Sequence, residues 1–335
     1  FPFDAPTTQQ EMAAYKFLLP LNVTQWDWHF RNSIAQQWNF TLQRELASNW
    51  VATAAYVGSK GNHLFIGSEL NPAVYGRPGR TVDSRRLYYP TFTNVTNHTS
   101  NGSSNYHALQ LTVNRRLKQG LTVLANYTWS KMIDLGSSDG SLPQNTFDLR
   151  AERGRSDNDV PHRFVGSFIY EFPALRNRSR LAREVLGGWE VNGIVTLWSP
   201  TPFNVSSGAD NSGTAVNQDR PNVVGDWRIS GDRSKNDRIL RYFNTAAFAQ
   251  NPAGTFGNAG RNILRGDFRQ NLDLGAIKNF PITERHRLQF RGEFFNVTNH
   301  ANLGNPNGSV SSPSFGRITA SGTPRVIQLA LKYMF

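Results

Sequence analysis

Three groups of residues have types and spacings that could do chemistry. Gly136-Ser-Ser-Asp-Gly140 satisfies Gly-x-Ser-x-Gly, the pattern of a nucleophile elbow, where a strained strand-to-helix turn presents a serine hydroxyl to its base. Here it falls in a Gly/Ser loop after an amphipathic strand, so it reads as loop composition. Asp157-Asn-Asp159 with Asp148 and Glu152 could gather a hard cation such as calcium, because carboxylate oxygens suit it. The EF-hand spacing and its terminal Glu are missing, which makes a solvated acidic loop the expectation. The third group, Arg287, Gln289, Arg291 and Glu293, recurs with period two and so shares one face of a strand.

Other chemistry is thin. The 7 His form neither HExxH nor a close pair, and 0 Cys removes disulfides, thiolate zinc sites and cysteine nucleophiles together. Asn-x-Ser/Thr triplets such as Asn94-Val-Thr96 and Asn101-Gly-Ser103 reflect an Asn-rich composition rather than glycan acceptors. No catalytic, cofactor-binding or metal-binding residue is expected, and the chain is not expected to be an enzyme.

The elements that would carry these groups are read from the whole chain. At 335 residues, with 38% hydrophobic content and a mean hydropathy of −0.49, the chain offers no apolar window long enough for a membrane helix. A transmembrane β-barrel stays open, because only alternate residues of its strands must be apolar. The net charge of +12 raises nucleic acid as a partner. Arg and Lys are scattered over strand ends and loops rather than clustered in a footprint, so no nucleic acid is expected; anionic lipid or an anionic solute suits the scatter better. The chain begins at Phe1 without a basic and then apolar leader, and is expected to be a mature product or a fragment.

Period-two alternation marks nine strands, at about 34–44, 50–58, 106–117, 121–132, 162–172, 188–198, 268–278, 285–297 and 325–335. Trp38, Phe40 and Leu42 share a face in the first, and Leu288, Phe290 and Phe294 oppose Arg287, Gln289, Arg291 and Glu293 in the eighth. The strands reach roughly 10–13 residues, against about 5–6 for an ordinary strand. Crossing a ~25 Å apolar band at ~45° tilt needs on the order of 10. Connections alternate strictly between short and long, the long ones at about 59–105, 133–161, 199–267 and 298–323. Outer-membrane barrels segregate short periplasmic turns from long outer loops in this way, and a soluble sandwich has no reason to.

These features predict an all-β fold, an antiparallel transmembrane β-barrel over 34–335 with an irregular lead-in over 1–33 and a short helical stretch at Gln9–Leu19. Alternate apolar residues would face lipid. Trp38, Trp50, Tyr127, Trp129, Tyr170 and Trp189 would sit in the interfacial belts, and Arg287, Gln289, Arg291 and Glu293 would line the lumen. With short turns periplasmic, Phe335 ends in the periplasm while residue 1 lies outside. Either further strands hide in 1–33 or 199–267, or the chain carries the C-terminal strands, about 9–12, of a larger barrel; the latter is favoured.

Longer phrases carry a resemblance. Ser104-Asn-Tyr-His-Ala-Leu-Gln-Leu111, Leu124-Ala-Asn-Tyr-Thr-Trp-Ser-Lys131, Asp159-Val-Pro-His-Arg-Phe164, Tyr242-Phe-Asn-Thr-Ala-Ala-Phe248, Phe256-Gly-Asn-Ala-Gly-Arg-Asn262 and Phe290-Arg-Gly-Glu-Phe-Phe-Asn-Val-Thr-Asn-His300 resemble the TonB-dependent outer-membrane receptors. The likeness is to the large acidobacterial type with an N-terminal carboxypeptidase-regulatory-like domain. It implies a 22-stranded barrel, an N-terminal plug and a TonB box, and neither of the last two is recognisable in these residues. The terminal strand also resembles the outer-membrane assembly signal, with Gln328, Ala330, Tyr333 and Phe335 in its places and Ala where Gly is usual. The partners so implied are outer-membrane lipid and lipopolysaccharide, the barrel assembly machinery, a plug and TonB system in a longer chain, and an unknown solute. Two other readings stay open: a self-closing passive porin or surface adhesin, and a secreted β-sandwich that binds carbohydrate through its loops.

Overall fold

Alternating apolar and polar residues can be satisfied by a strand with one face on each solvent, and this pattern dominates the architecture. In a computed structural model, described over residues 8–14, 18–118, 120–175, 179, 185–229 and 232–335, the long strands are β2 (Ile34–Ala47), β3 (Trp50–Glu69), β4 (Phe92–Lys118), β5 (Leu121–Asp134), β7 (His162–Glu171), β8 (Trp189–Trp198), β13 (Arg269–Pro281), β14 (Arg287–Phe295) and β15 (Val326–Met334). Short strands fill the connections: β1 (Leu21–Trp26), β6 (Gly154–Arg155), β9 (Pro202–Phe203), β10 (Asn222–Val223), β11 (Phe248–Ala249) and β12 (Leu264–Arg265). The long strands form one antiparallel sheet in the order β15-β14-β13-β8-β7-β5-β4-β3-β2. The sheet does not close on itself, and β2 and β15 are its edges.

Register carries the alternation across the whole sheet. One row runs Leu42, Ala54, Leu111, Tyr127, Phe164, Leu197. Another runs Val123, Phe168, Gly193, Leu274, Phe294, Ile327. A one-residue slip in any pair would turn its apolar set to the other face, so the two faces hold the register. Close approach fixes one point of it: Trp38 lies opposite Gly58, and a Cβ there would stand 2.2 Å from the indole.

The connections depart from the expected outline. The segment at about 59–105 is largely strand, since β3 runs up to Glu69 and β4 begins at Phe92. With 27 residues, β4 rises about 60 Å at barrel tilt, far beyond any apolar band. Above the band both faces meet water, so the backbone ladder continues where the apolar alternation that marks it in the sequence has stopped. The lead-in is not wholly irregular either: β1 pairs in parallel with the upper part of β4, from Leu21 opposite Phe92 to Trp26 opposite His98. The helix spans Gln9–Ala14, and residues 15–17 of the expected stretch lie outside the described ones.

The 199–267 connection folds as a body of its own. Phe203, Val205, Phe243, Ala247, Phe248 and Leu264 form a buried cluster, closed by Val310 and Phe315 from the 298–323 connection. A helix at Lys235–Leu240 is capped by Ser234, whose hydroxyl accepts from the Asp237 amide. The two connections are joined by backbone bonds from Val310 to Ser206 and from Ile318 to Ile239, both 2.9 Å. Gly257 sits where a Cβ would lie 1.9 Å from the Arg220 carbonyl oxygen, so only glycine lets these two backbones meet. Gly257→Ala is therefore expected to cost the loop body about 1–3 kcal/mol. Limited proteolysis should then open the 199–267 segment faster while the long strands stay resistant.

Candidate functional site

The wall comes first. Arg287, Gln289, Arg291 and Glu293 do share a face, opposite Leu288, Phe290 and Phe294, and stand beside Met334, Lys332, Ala330 and Gln328 of β15. Gln289 donates to Asn279 at 3.0 Å, and Arg291 lies 3.8 Å from Glu293, a half-exposed pair of little energetic weight. Gln328 and Ala330 thus fall on the polar face and Tyr333 on the apolar one. Tyr333 stacks on His286, with 2.7 Å between its hydroxyl and Nδ1, and Phe335 follows beyond the strand end, 92% exposed.

The six aromatics named from the sequence all lie on the apolar face, at two levels. Trp50, Tyr170 and Trp189 stand near the short-turn ends, and Arg115 lies 5.5 Å over the Trp50 ring. Trp38, Tyr127 and Trp129 stand toward the long-loop ends, where Tyr127 bonds His162 at 2.7 Å and Trp129 pairs with His162 in the ladder. One residue of this face was missed. Lys278 is only 4% exposed, donates to the Gly187 carbonyl, and holds its ammonium 5.5 Å from the Phe280 ring and 6.0 Å from Trp189. The signal was present as the break in the run Leu272, Leu274, Ala276, Lys278.

The long-loop end holds the charged groups. Ser138 of the Gly-x-Ser-x-Gly pattern sits in a turn closed on Ser141, with 2.9 Å between the two hydroxyls, and no helix follows. The four carboxylates at 148–159 go to different partners. Asp148 caps the turn at Leu149–Glu152, and Asp157 accepts from Asn262 at 2.6 Å. Asp159, 2% exposed, accepts from the Met132 amide and pairs with Arg265. Glu152 accepts from both Gln144 and Arg220, the latter at 2.8 Å, and all three are buried. Among the described residues no group of His, Asp or Glu is arranged to hold a metal ion. Arg261 closes the set by bridging Asp134 and the Glu152 carbonyl. Arg86 does similar work in the β3–β4 hairpin, bound to Asp83 at 2.8 Å and to the Asn71 carbonyl at 2.6 Å.

Between the 133–161 and 199–267 connections opens a cleft of about 920 Å³. Trp227, Tyr242 and Phe243 supply its rings and seven arginines its charge. Burial pushes the Tyr242 hydroxyl above its ordinary value, and the Asp267 carboxylate adds to this against the opposing pull of Arg238 and Arg233. The hydroxyl donates to the Gly266 carbonyl at 2.5 Å.

An amphipathic wall with an exposed apolar face and a folded polar cap defines an outer-membrane barrel, and the sequence comparison agrees. A family model described as "Outer membrane beta barrel domain" matches residues 1–328, and the chain belongs to that family. Its place is the outer membrane. No curated protein matches the chain. Among solved structures it is similar to the outer membrane transporter YddB from Escherichia coli, with 10% identity and a TM-score of 0.46 over 93% of this chain and 34% of that one. It is similar too to the FrpB iron transporter from Neisseria meningitidis, with 11% identity and a TM-score of 0.46 over 93% and 33%. BauA, the ferric preacinetobactin receptor from Acinetobacter baumannii, gives 12% identity and a TM-score of 0.43 over 90% and 29%. The chain thus spans about a third of the length of these proteins.

The Glu152–Arg220 pair gives a direct test of the cap. Arg220→Met leaves a buried carboxylate without its cation, for which a loss of about 3–5 kcal/mol is expected. Replacing both with Met and Leu should recover most of that loss, read from the thermal midpoint of loop-body unfolding.

Proposed function

We propose that this chain forms part of the barrel of an energised outer-membrane receptor that takes up a solute, with the short turns periplasmic and the folded loop body outside. The observation that carries the reading is the nine-strand wall, apolar outside and polar within, capped at one end by the body of the 199–267 and 298–323 connections. The likeness of its phrases to TonB-dependent receptors of the acidobacterial type supports an energised rather than passive role, with a plug and the TonB system as partners. Arg287, Gln289, Arg291 and Glu293 then face the plug or the passing solute. The two levels of aromatics match the two interfaces of a bilayer, where amphipathic rings are favoured. Lys278 at the lower level keeps its charge near headgroups while its stem stays in the apolar face.

The terminal residues fit the same reading. Gln328, Ala330, Tyr333 and Phe335 are exposed along an unpaired edge, available to the assembly machinery. Tyr333→Ala with Phe335→Ala is expected to lower the assembled fraction several-fold, read as loss of heat-modifiable migration from isolated outer membranes. Transport is tested separately with the protein expressed from its whole gene and reconstituted in liposomes. A plugged receptor leaves the vesicles unswollen in isotonic small sugars. Rapid swelling would replace this reading with that of a passive porin.

A further inference from the structure

The cleft at the long-loop end has an unbalanced inventory. Its arginines come from three stretches: Arg153 and Arg155 after the turn at Leu149–Glu152, Arg228 to Arg238 around the Lys235–Leu240 helix, and Arg261 and Arg265 around β12. Several are matched. Arg261 pairs with Asp134, Arg265 with Asp159, Arg238 with Asp267, and Arg228 lies 3.3 Å from Asp226. Arg233 is tied to the backbone, donating to the carbonyls of Arg241 and Tyr242. Three more carboxylates stand on these stretches: Asp157 accepts from Asn262 and Asp237 from Ser234 rather than from a guanidinium, and Asp232 is exposed. Arg153 and Arg155 are left, exposed and without a side-chain bond to any described residue.

Two further observations point to a ligand rather than to a merely basic surface. Trp227 lines the cleft half-buried, packed on Phe248 at 6.2 Å, so a rigid indole stands beside the guanidiniums. Asn262, also in the lining and 1% exposed, donates its amide to the Arg155 carbonyl at 2.7 Å while its Oδ1 is buried without any partner. A buried acceptor of this kind is costly unless a donor arrives to meet it. The cavity volume of about 920 Å³ falls in the range of small-molecule sites.

We propose that this cleft binds a small anionic ring compound carrying a phosphate or carboxylate together with a hydroxyl or N–H. Arg153 and Arg155 take the anion in the bidentate geometry that guanidinium favours, Trp227 packs against the ring, and Asn262 Oδ1 accepts the donor. The assignment rests on the uptake reading only in making this ligand the solute; binding itself does not require transport. An anion of this chemistry could also belong to a phosphorylated lipid headgroup of the outer leaflet, and the experiment separates the two sources.

The protein, purified in detergent from outer membranes and shown folded by heat-modifiable migration, is titrated calorimetrically with 4-hydroxyphenyl phosphate, inorganic phosphate and 4-hydroxyphenyl glucoside. The aromatic phosphate is expected to bind, more weakly as salt rises; inorganic phosphate should bind at least tenfold less well, and the neutral glucoside not at all. Arg153→Ala with Arg155→Ala should weaken the aromatic phosphate by at least tenfold, since each charged bond is worth that much. Arg80→Ala, an exposed arginine outside the cleft, should leave it unchanged, and Trp227→Leu should remove the preference for the aromatic ester over inorganic phosphate. Failure of the folded protein to bind the aromatic phosphate overturns the proposal, as does equal loss in the Arg80 variant. Binding of lipid A phosphate in micelles with no binding of the soluble ester overturns the solute assignment in favour of the headgroup. If the ester binds as described while uptake fails, the receptor reading falls and the site stands.

Discussion

A hydrocarbon phase offers no partner to a backbone N–H or C=O, and every feature of the wall follows from that deficit. A strand can cross only if both of its neighbours complete the ladder, because each unmet group costs several kcal/mol. From β3 to β14 every long strand has a neighbour on both sides. The free edges of β2 and β15 are different: within the band each needs a strand partner, since no side chain of Trp38, Phe40, Leu329 or Leu331 can substitute for a ladder bond. Alternation is the second consequence. Once the backbone is satisfied by its neighbours, only side chains distinguish the two sides, and a period of two is the whole code.

This inverts the usual placement of a core. Leu329 and Leu331 are each 66% exposed and Phe40 is 63% exposed, while the buried apolar cluster lies in the loop body. A soluble sandwich would have to leave an apolar sheet face to water over nine strands, far more than the patch a monomer tolerates. Lipid removes that penalty. The loop body, standing in water, must instead be held by its own contacts, and its aromatic cluster is small. Much of its definition falls to buried polar pairs such as Glu152–Arg220, which are poor sources of net stability but enforce one arrangement, since leaving either partner alone is costly.

The wall was legible because its signal is local. Leu288, Phe290 and Phe294 announce β14 within seven residues, and the short turn that precedes it follows from the same count. The extension of β3 and β4 was not legible, because above the band Ser59, Lys60, Asn62 and their partners need no apolar face to stay in the ladder. The loop body was hidden for another reason. Phe203, Phe243, Phe248 and Phe315 follow no period, and their meeting depends on contacts more than a hundred residues apart. Of the residues that could do chemistry, the four on β14 shared a face as their spacing required. The acidic loop was read as a solvated surface, whereas Glu152 and Asp159 are buried in charge pairs whose cations lie 68 and 106 residues further on.

The charge of the chain shows the same limit from the other side. Its +12 looked dispersed, because arginines at 153–155, 228–238 and 261–265 belong to segments that are far apart in sequence. Scatter along a chain says nothing about scatter in space once loops fold on each other, and these segments converge on one cleft. The strands have no part in that convergence beyond fixing where each loop leaves and returns: Trp198 and Arg269, paired across β8 and β13, hold the ends of the longest connection side by side. A wall of this kind can therefore stay nearly constant while the loops it anchors change, which is why binding residues gather on loops held by a rigid scaffold. Here the scaffold's rigidity comes from the ladder that the membrane makes obligatory, so the membrane constraint also sets the positional precision available to the cleft.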